Sequence, residues 1–396
     1  MRPGDVMTYD FTICRFYMLA CAVFAVLAGL FATCGAVGLG EGRFDTLTLN
    51  LSVFGFVFSG FFAAWAWGGQ RLLRVAAFES ELVQFCLKFG FLLYFMGVIV
   101  DLANRAGYET GARGDLIIAA SVFVWGAGAF ALFGIRREAR AGAFVMFSLF
   151  GFFVFTLLFA FSNLNLFGAP SPIGGVEAAF FSAAFMLFAV IYAVSGGESG
   201  DTHKFALATI ILLALGALSV FAPHFGLSSR LVAIFPFFAG VLLAAELAPR
   251  AKKLVIKFEL VAAIFFALFS ALFLLAAFGV GGAKTLSAVE ISNLNLEAAF
   301  YLGAPAIAGL LLFLTPRAVS RAVYSKGLAL FSLYALSFGA ALKLAQFGLN
   351  IFGAENNYAG LFAASFTLLG LLALCFNLLK SLGAKKILRE PAQTFE

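Results

Sequence analysis

The sequence predicts an all-α polytopic membrane protein with twelve transmembrane helices in two parallel six-helix repeats, residues 1–198 and 199–396. Three observations lead there. Of 396 residues, 63% are hydrophobic and only 12% charged, with a mean hydropathy of +1.03; that is too little polar material to cover a soluble globule. Phe alone contributes 53 residues, which would form aggregating patches in water but none in lipid. The second observation is a run of apolar segments near bilayer length, and the third is a set of short motifs that recur about half a chain apart.

A bilayer core takes roughly 20 apolar residues per helix, with about 17 to 25 as the usual span. Twelve stretches qualify: 14–38, 50–68, 82–104, 115–134, 143–163, 175–196, 205–222, 229–248, 257–280, 297–315, 328–350 and 358–381. The first is read as a retained helix. Cys21 follows Met18, Leu19 and Ala20, as in a lipoprotein site, but Arg15 leaves too short an apolar run before it for a signal peptide. The five cysteines (Cys14, Cys21, Cys34, Cys86, Cys375) sit in or beside apolar runs, without a CxxC pair, as small hydrophobes. Pro236 and Pro305 fall inside the eighth and tenth segments. Each removes a backbone donor, and they are candidate hinges or static bends.

The loops fix an orientation. Of the 26 Lys and Arg residues, nineteen lie on one side, among them Arg71, Arg74, Arg136, Arg137, Lys204, Arg250, Lys252, Lys253, Arg317, Arg321, Lys385 and Lys386. Five lie on the other: Arg43, Arg105, Arg113, Arg230 and Lys284. This bias places both termini in the cytoplasm, as an even helix count requires, and suits a multi-pass protein of a cell's inner membrane. The net charge of +6 is dispersed through short loops rather than gathered into a groove, so no nucleic-acid partner is expected. Membrane lipid is the expected surrounding partner.

Internal matches set the repeat. Phe147-Ser148-Leu149 and Leu164-Asn165-Leu166-Phe167-Gly168-Ala169 return as Phe331-Ser332-Leu333 and Leu349-Asn350-Ile351-Phe352-Gly353-Ala354. Glu81-Leu82-Val83 returns as Glu259-Leu260-Val261. These collinear matches pair the third segment with the ninth, the fifth with the eleventh and the sixth with the twelfth. A rival register comes from Ser162-Asn163-Leu164-Asn165-Leu166, repeated as Ser292 to Leu296, and from Glu177-Ala178-Ala179-Phe180, repeated as Glu297 to Phe300. It implies three units of four helices, and the collinear set outweighs it.

In twelve helices, two similar halves, cytoplasmic termini and its length, the chain resembles the major facilitator superfamily. The loops Gly68-Gly69-Gln70-Arg71-Leu72-Leu73-Arg74 and Pro249-Arg250-Ala251-Lys252-Lys253 carry the basic residues of that family's loop motif without its Asp. The resemblance implies a secondary transporter with a binding site between the halves. The four-helix register would instead be similar to subunit one of haem-copper oxidases, whose chemistry needs several intramembrane imidazoles. Here His203 and His224 fall in loops on opposite sides and read as solvated residues. No cofactor or metal is expected.

Charges inside the hydrocarbon cost roughly 2.5 to 3.5 kcal/mol at a helix centre and so mark function or pairing. Lys343 lies about 22 Å along its helix from Leu328, with Gln346 on the same face and Ser337 about two turns back. Candidate counter-ions are Asp101, Asp115, Glu177 and Glu297 at outer helix ends, Glu177 and Glu297 being placed to meet an N-terminal dipole. One reading makes these acids caps and lets Lys343 snorkel; the other makes a carboxylate exchange between Lys343 and a proton. Lys88 reads as a snorkelling residue, the Asn residues at outer helix ends as caps, and Gly126, Gly128, Gly303 and Gly309 as sites of close helix approach. No Walker loop, dinucleotide turn or metal-protease motif occurs, so no enzyme is expected. The expectation is a secondary transporter of a small solute, with proton coupling as one form of it. The alternative is a non-transporting multispanning subunit or assembly factor.

Overall fold

The computed structural model describes residues 12–39, 48, 51–72, 80–108, 110–134, 142–164, 175–199, 203–219, 231–283, 288–318, 323–354 and 357–383. Among the described residues twelve α-helices occur. They are α1 (Thr12–Ala36), α2 (a π-helical opening, Leu51–Val57, continued by Phe58–Leu72), α3 (Glu81–Arg105), α4 (Gly114–Gly134), α5 (Ala143–Leu164) and α6 (Gly175–Ser199). There follow α7 (Ala206–Ser219), α8 (Leu231–Leu247), α9 (Leu254–Phe278), α10 (Ala288–Ala318), α11 (Lys326–Ile351) and α12 (Asn357–Gly383). All twelve coincide with the expected segments, except that α10 opens at Ala288, well ahead of position 297. Seven helices (α1, α2, α3, α9, α10, α11, α12) are long and apolar enough to cross a bilayer, and shorter apolar stretches lie in α4 to α7. The chain is a multispanning membrane protein.

Contacts at helix ends join the start of α1 to the end of α10 and the start of α11 to the end of α12. Arg15 at the start of α1 donates through Nε to the Ala318 carbonyl at the end of α10, at 2.7 Å. The start of α11 meets the end of α12: Asn377, 1% exposed, accepts from Ser325 N–H (3.0 Å) and donates to Ser325 C=O (2.8 Å). Such reciprocal bonding satisfies a buried amide and a helix N-terminus together.

Three helices form the centre. The described side chains are buried from Leu51 to Gly68 in α2, from Phe181 to Ser195 in α6 and from Phe300 to Thr315 in α10, and the three pack on one another. A helix apolar on all sides belongs in such a position. Each is flanked by the helix before it, α1 on α2, α5 on α6 and α9 on α10, and each such pair is followed by a hairpin: α3–α4, α7–α8 and α11–α12. The hairpins turn residues such as Leu92, Met96, Phe331 and Phe338 outward.

Burial thus repeats every four helices. A six-helix offset pairs central α2, α6 and α10 with α8, α12 and α4, which keep exposed faces. The matched glutamates of the collinear set also differ: Glu81 is exposed and Glu259 wholly buried. By contrast, the Glu177 and Glu297 matches lie in α6 and α10, which are both central helices.

Between apolar helices in lipid, association depends on close approach and interhelical contact rather than on expelling water. In the α3–α4 seam Gly90 lies under Trp125 and Gly97 under Ile118. In the α11–α12 seam Gly339 lies against Thr367 and Gly370 against Leu336. A buried aromatic layer ties α1, α2, α3 and α4: Trp125 Nε1 donates to the Tyr17 hydroxyl, which donates to Leu87 C=O at 2.9 Å, with Phe62 and Tyr94 against the Trp125 ring. The cysteines are free and four are buried, as small hydrophobes are.

Gly339→Val inserts carbons where a β-carbon already collides with Thr367 and Ala363. It is expected to destabilise the protein by about 1–3 kcal/mol, read as a lower thermal unfolding midpoint in detergent; an unchanged midpoint would show that the seam is not close-packed.

Candidate functional site

The buried face of α11 runs Ser332, Leu336, Gly339, Ala340, Lys343, Phe347 and Ile351, at three- and four-residue spacing. Lys343 therefore enters the bundle with an apolar face and is 6% exposed. Its Nζ donates to Gln346 Oε1 at 3.0 Å and stands 5.4 Å from the Tyr301 ring centroid on α10, a cation–π approach that partly replaces lost water. One turn on, Phe347 meets Phe269 and Phe273 of α9 edge-on at 5.7 and 5.2 Å. Helices α9 and α10 thus pack on this part of α11, where Lys343 lies about 12 Å inside the Ile351 end. The amine is turned to these neighbouring side chains. Ser337 does not continue this face: its hydroxyl donates to Leu333 C=O (2.7 Å), and it lines an outer groove.

That groove, about 600 Å³, is bounded by Phe265, Phe331, Tyr334, Ser337, Phe338 and Phe366. It is an aromatic surface open to the outside of the bundle, where lipid lies, and not a central chamber.

The candidate acids separate. Glu297 lies inside α10, four residues before Tyr301, because the helix begins at Ala288; its expected place at an N-terminal dipole is thereby corrected. Glu177 and Asp115 lie in the first turns of α6 and α4, as expected. The side chains of Glu297, Glu177 and Asp115 lie outside the described residues. Asp101 is half-buried in the last turn of α3, its backbone against Gly114 of α4. Both proline positions are within helices, as expected. Pro305 is buried one turn from Tyr301 and deprives the Tyr301 carbonyl of its helical donor. Pro236 packs against Gly216 of α7. Lys88 is exposed and reaches Gln84, consistent with snorkelling.

Two further polar sites went unread in the sequence. Glu259 in α9 is wholly buried against Gly309 of α10. Its signal was available: Val255, Ile256, Ala262 and Ala263, at three- and four-residue spacing around it, are all apolar. The second site corrects the reading of His203 as a solvated residue. His203, just ahead of α7, lies against the end of α8, and its side chain is 9% exposed. Its Nδ1 lies 3.4 Å from Glu246 Oε1 and 3.0 Å from Arg250 Nη1, and its ring stands edge-on to Tyr192 at 4.7 Å. Tyr192 donates to Glu246 Oε2 at 3.0 Å. These groups come from three places in the chain, so only folding assembles them. His224 lies outside the described residues.

Along α10, Tyr301, Pro305 and Gly309 follow at four-residue steps on one side, spanning about 12 Å. One helix thus presents Tyr301 to a cation on α11 and Gly309 to a carboxyl on α9, with a proline between. No protein-family model matches the chain, and no curated protein matches it significantly.

Removing His203 strips Glu246 of one buried partner and Arg250 of another. His203→Ala is expected to cost about 1–3 kcal/mol, measured by thermal unfolding in detergent; a change within about 0.5 kcal/mol, the range of ordinary surface substitutions, would show the cluster to be solvated.

Proposed function

We propose that the protein is an inner-membrane secondary transporter of a small solute, driven by an ion gradient and most simply by protons. The carrying observation is the ammonium of Lys343, held inside the bundle over Tyr301 of central α10 one turn from Pro305. A charge kept at that depth against its insertion cost calls for a role that packing alone does not supply, and a proline beside it offers the helix a bend. Secondary transporters use such interrupted helices at their binding sites.

The collinear sequence matches suggest a working division into halves 1–198 and 199–396, whereas the burial of α2, α6 and α10 supports three units of four helices. We take the last unit, α9 to α12, as the one that binds and moves. Gln346 orients Lys343, and Glu297, one turn from Tyr301 on α10, is the acid placed by helical register to exchange with it. Pro305 is the hinge in this scheme, and Pro236 plays the lesser part. Both termini are cytoplasmic in this reading, following the basic loops; a C-terminal phosphatase fusion is expected to be inactive, and an active one would invert the topology.

In proteoliposomes screened across classes of solute with and without a pH gradient, the wild-type protein is expected to show gradient-driven flux. Lys343→Ala is expected to lower it at least tenfold with an unchanged gel-filtration profile. Undiminished flux in the variant would remove Lys343 from the mechanism, and no flux for any solute would favour a structural subunit.

A further inference from the structure

Glu259 stands apart from the transport site. It lies in the second turn of α9, about 8 Å in from Leu254, and is wholly buried. Among the described residues neither carboxyl oxygen has a hydrogen-bond partner. The group points across the seam to α10: a β-carbon placed on Gly309 would come within 2.5 Å of Oε1 and 3.3 Å of the carboxyl carbon. Gly309 therefore leaves the space that the carboxyl fills. Its expected role as a point of close helix approach is extended, since the space admits a polar group.

The charged groups around this seam are occupied elsewhere or distant. On α9 itself Lys257 is exposed. On α8, Glu246 is engaged by Tyr192 and His203, and beyond the end of that helix Arg250 is drawn to His203. On α10, Arg317 donates to Phe313 C=O, two turns past Gly309. On α11, Lys343 is engaged by Gln346 about 12 Å away along α10. Within the described residues no ion pair reaches Glu259, and both of its carboxyl oxygens are enclosed by protein. A carboxylate stripped of water and left without a donor is strongly disfavoured, whereas the neutral acid is tolerated.

Glu259 lies near the level of the Glu246 cluster. In the α8–α9 hairpin, Gly240 abuts Phe266 and Ala267. Counting from that contact toward the end rich in Arg and Lys, six residues lead to Glu246 on α8 and seven or eight to Glu259 on α9. The two residues therefore sit at nearly one depth, within about 3 Å along the helix axes.

We propose that Glu259 is a proton-binding site of the bundle. It holds its proton while enclosed against Gly309 and releases it to water entering from the basic end when α10 bends away at Pro305. The released proton leaves a carboxylate that water solvates, and the reverse transfer restores the acid, so charge and atoms balance without a further reactant. Its part in coupling rests on the transporter reading above; the binding of the proton does not.

The test uses the full-length protein in phospholipid nanodiscs, treated with dicyclohexylcarbodiimide, an apolar reagent that adds to protonated carboxyls, followed by peptide mass spectrometry. Glu259 is expected to be modified at neutral pH, less so as the pH rises, without protection by sodium ions, and modification of its peptide is lost in E259Q. Reagent found on Glu246 or surface acids but not on Glu259, or protection by sodium, would overturn the proposal. Should E259Q fail to fold, the infrared carbonyl band of a protonated acid in the wild-type protein decides: the band is expected to titrate away in alkali, and its absence at neutral pH refutes the site. Labelling without flux of any solute would sink the transporter reading and leave the proton site standing; flux without labelling would do the reverse.

Discussion

The absence of water from the bilayer interior is the constraint on which the rest of this structure depends. Every backbone N–H and C=O at that depth must find a partner within the protein, and helices alone achieve this locally. The described residues meet the requirement with twelve helices and add side-chain bonds where helix ends meet: Arg15 on the last carbonyl of α10, and Asn377 on Ser325, which caps α11. Lipid also removes the usual reason for apolar faces to associate, so contact must come from fit. That is why glycines recur at the α3–α4 and α11–α12 seams, and why Tyr17 and Trp125, although wholly buried, bond to each other.

The same constraint gives meaning to the few charges inside. Each ionisable group held in the bundle lacks the solvent that would make it cheap, so its neighbours define its chemistry. Lys343 has an amide and an aromatic face. Glu246 has a phenol and an imidazole. Glu259 has a gap left by a glycine. The cation and the isolated acid both address α10, on either side of Pro305.

Arrangement around α2, α6 and α10 also explains why internal similarity is hard to interpret in so apolar a chain. Short identities in Phe, Leu and Ala arise readily, and those offset by half the chain joined helices in unlike surroundings: Glu81 at the surface, Glu259 in the interior. The rival matches, Glu177 to Phe180 and Glu297 to Phe300, fall in two helices that are both central, α6 and α10. Short matches alone do not say which helices are equivalent; burial groups α2, α6 and α10.

The sequence by itself determined the solvent, the class and the helices, because hydropathy over a bilayer-length window is a local property and needs no knowledge of neighbours. It also picked out Lys343 with Gln346 and the two helix-breaking prolines, since a charge or a proline in an apolar run is visible without a fold. Tertiary structure alone decided which helices form the centre, that α10 runs back to Ala288 and carries Glu297 inside it, and that Ser337 turns away from Lys343. It decided too that His203 lies against the end of α8 beside Glu246, and that Glu259 faces Gly309. These depend on which residues meet across seams between distant segments, where one-residue shifts rotate a side chain by about 100°, and no local pattern in a run of Phe, Leu and Ala records that choice.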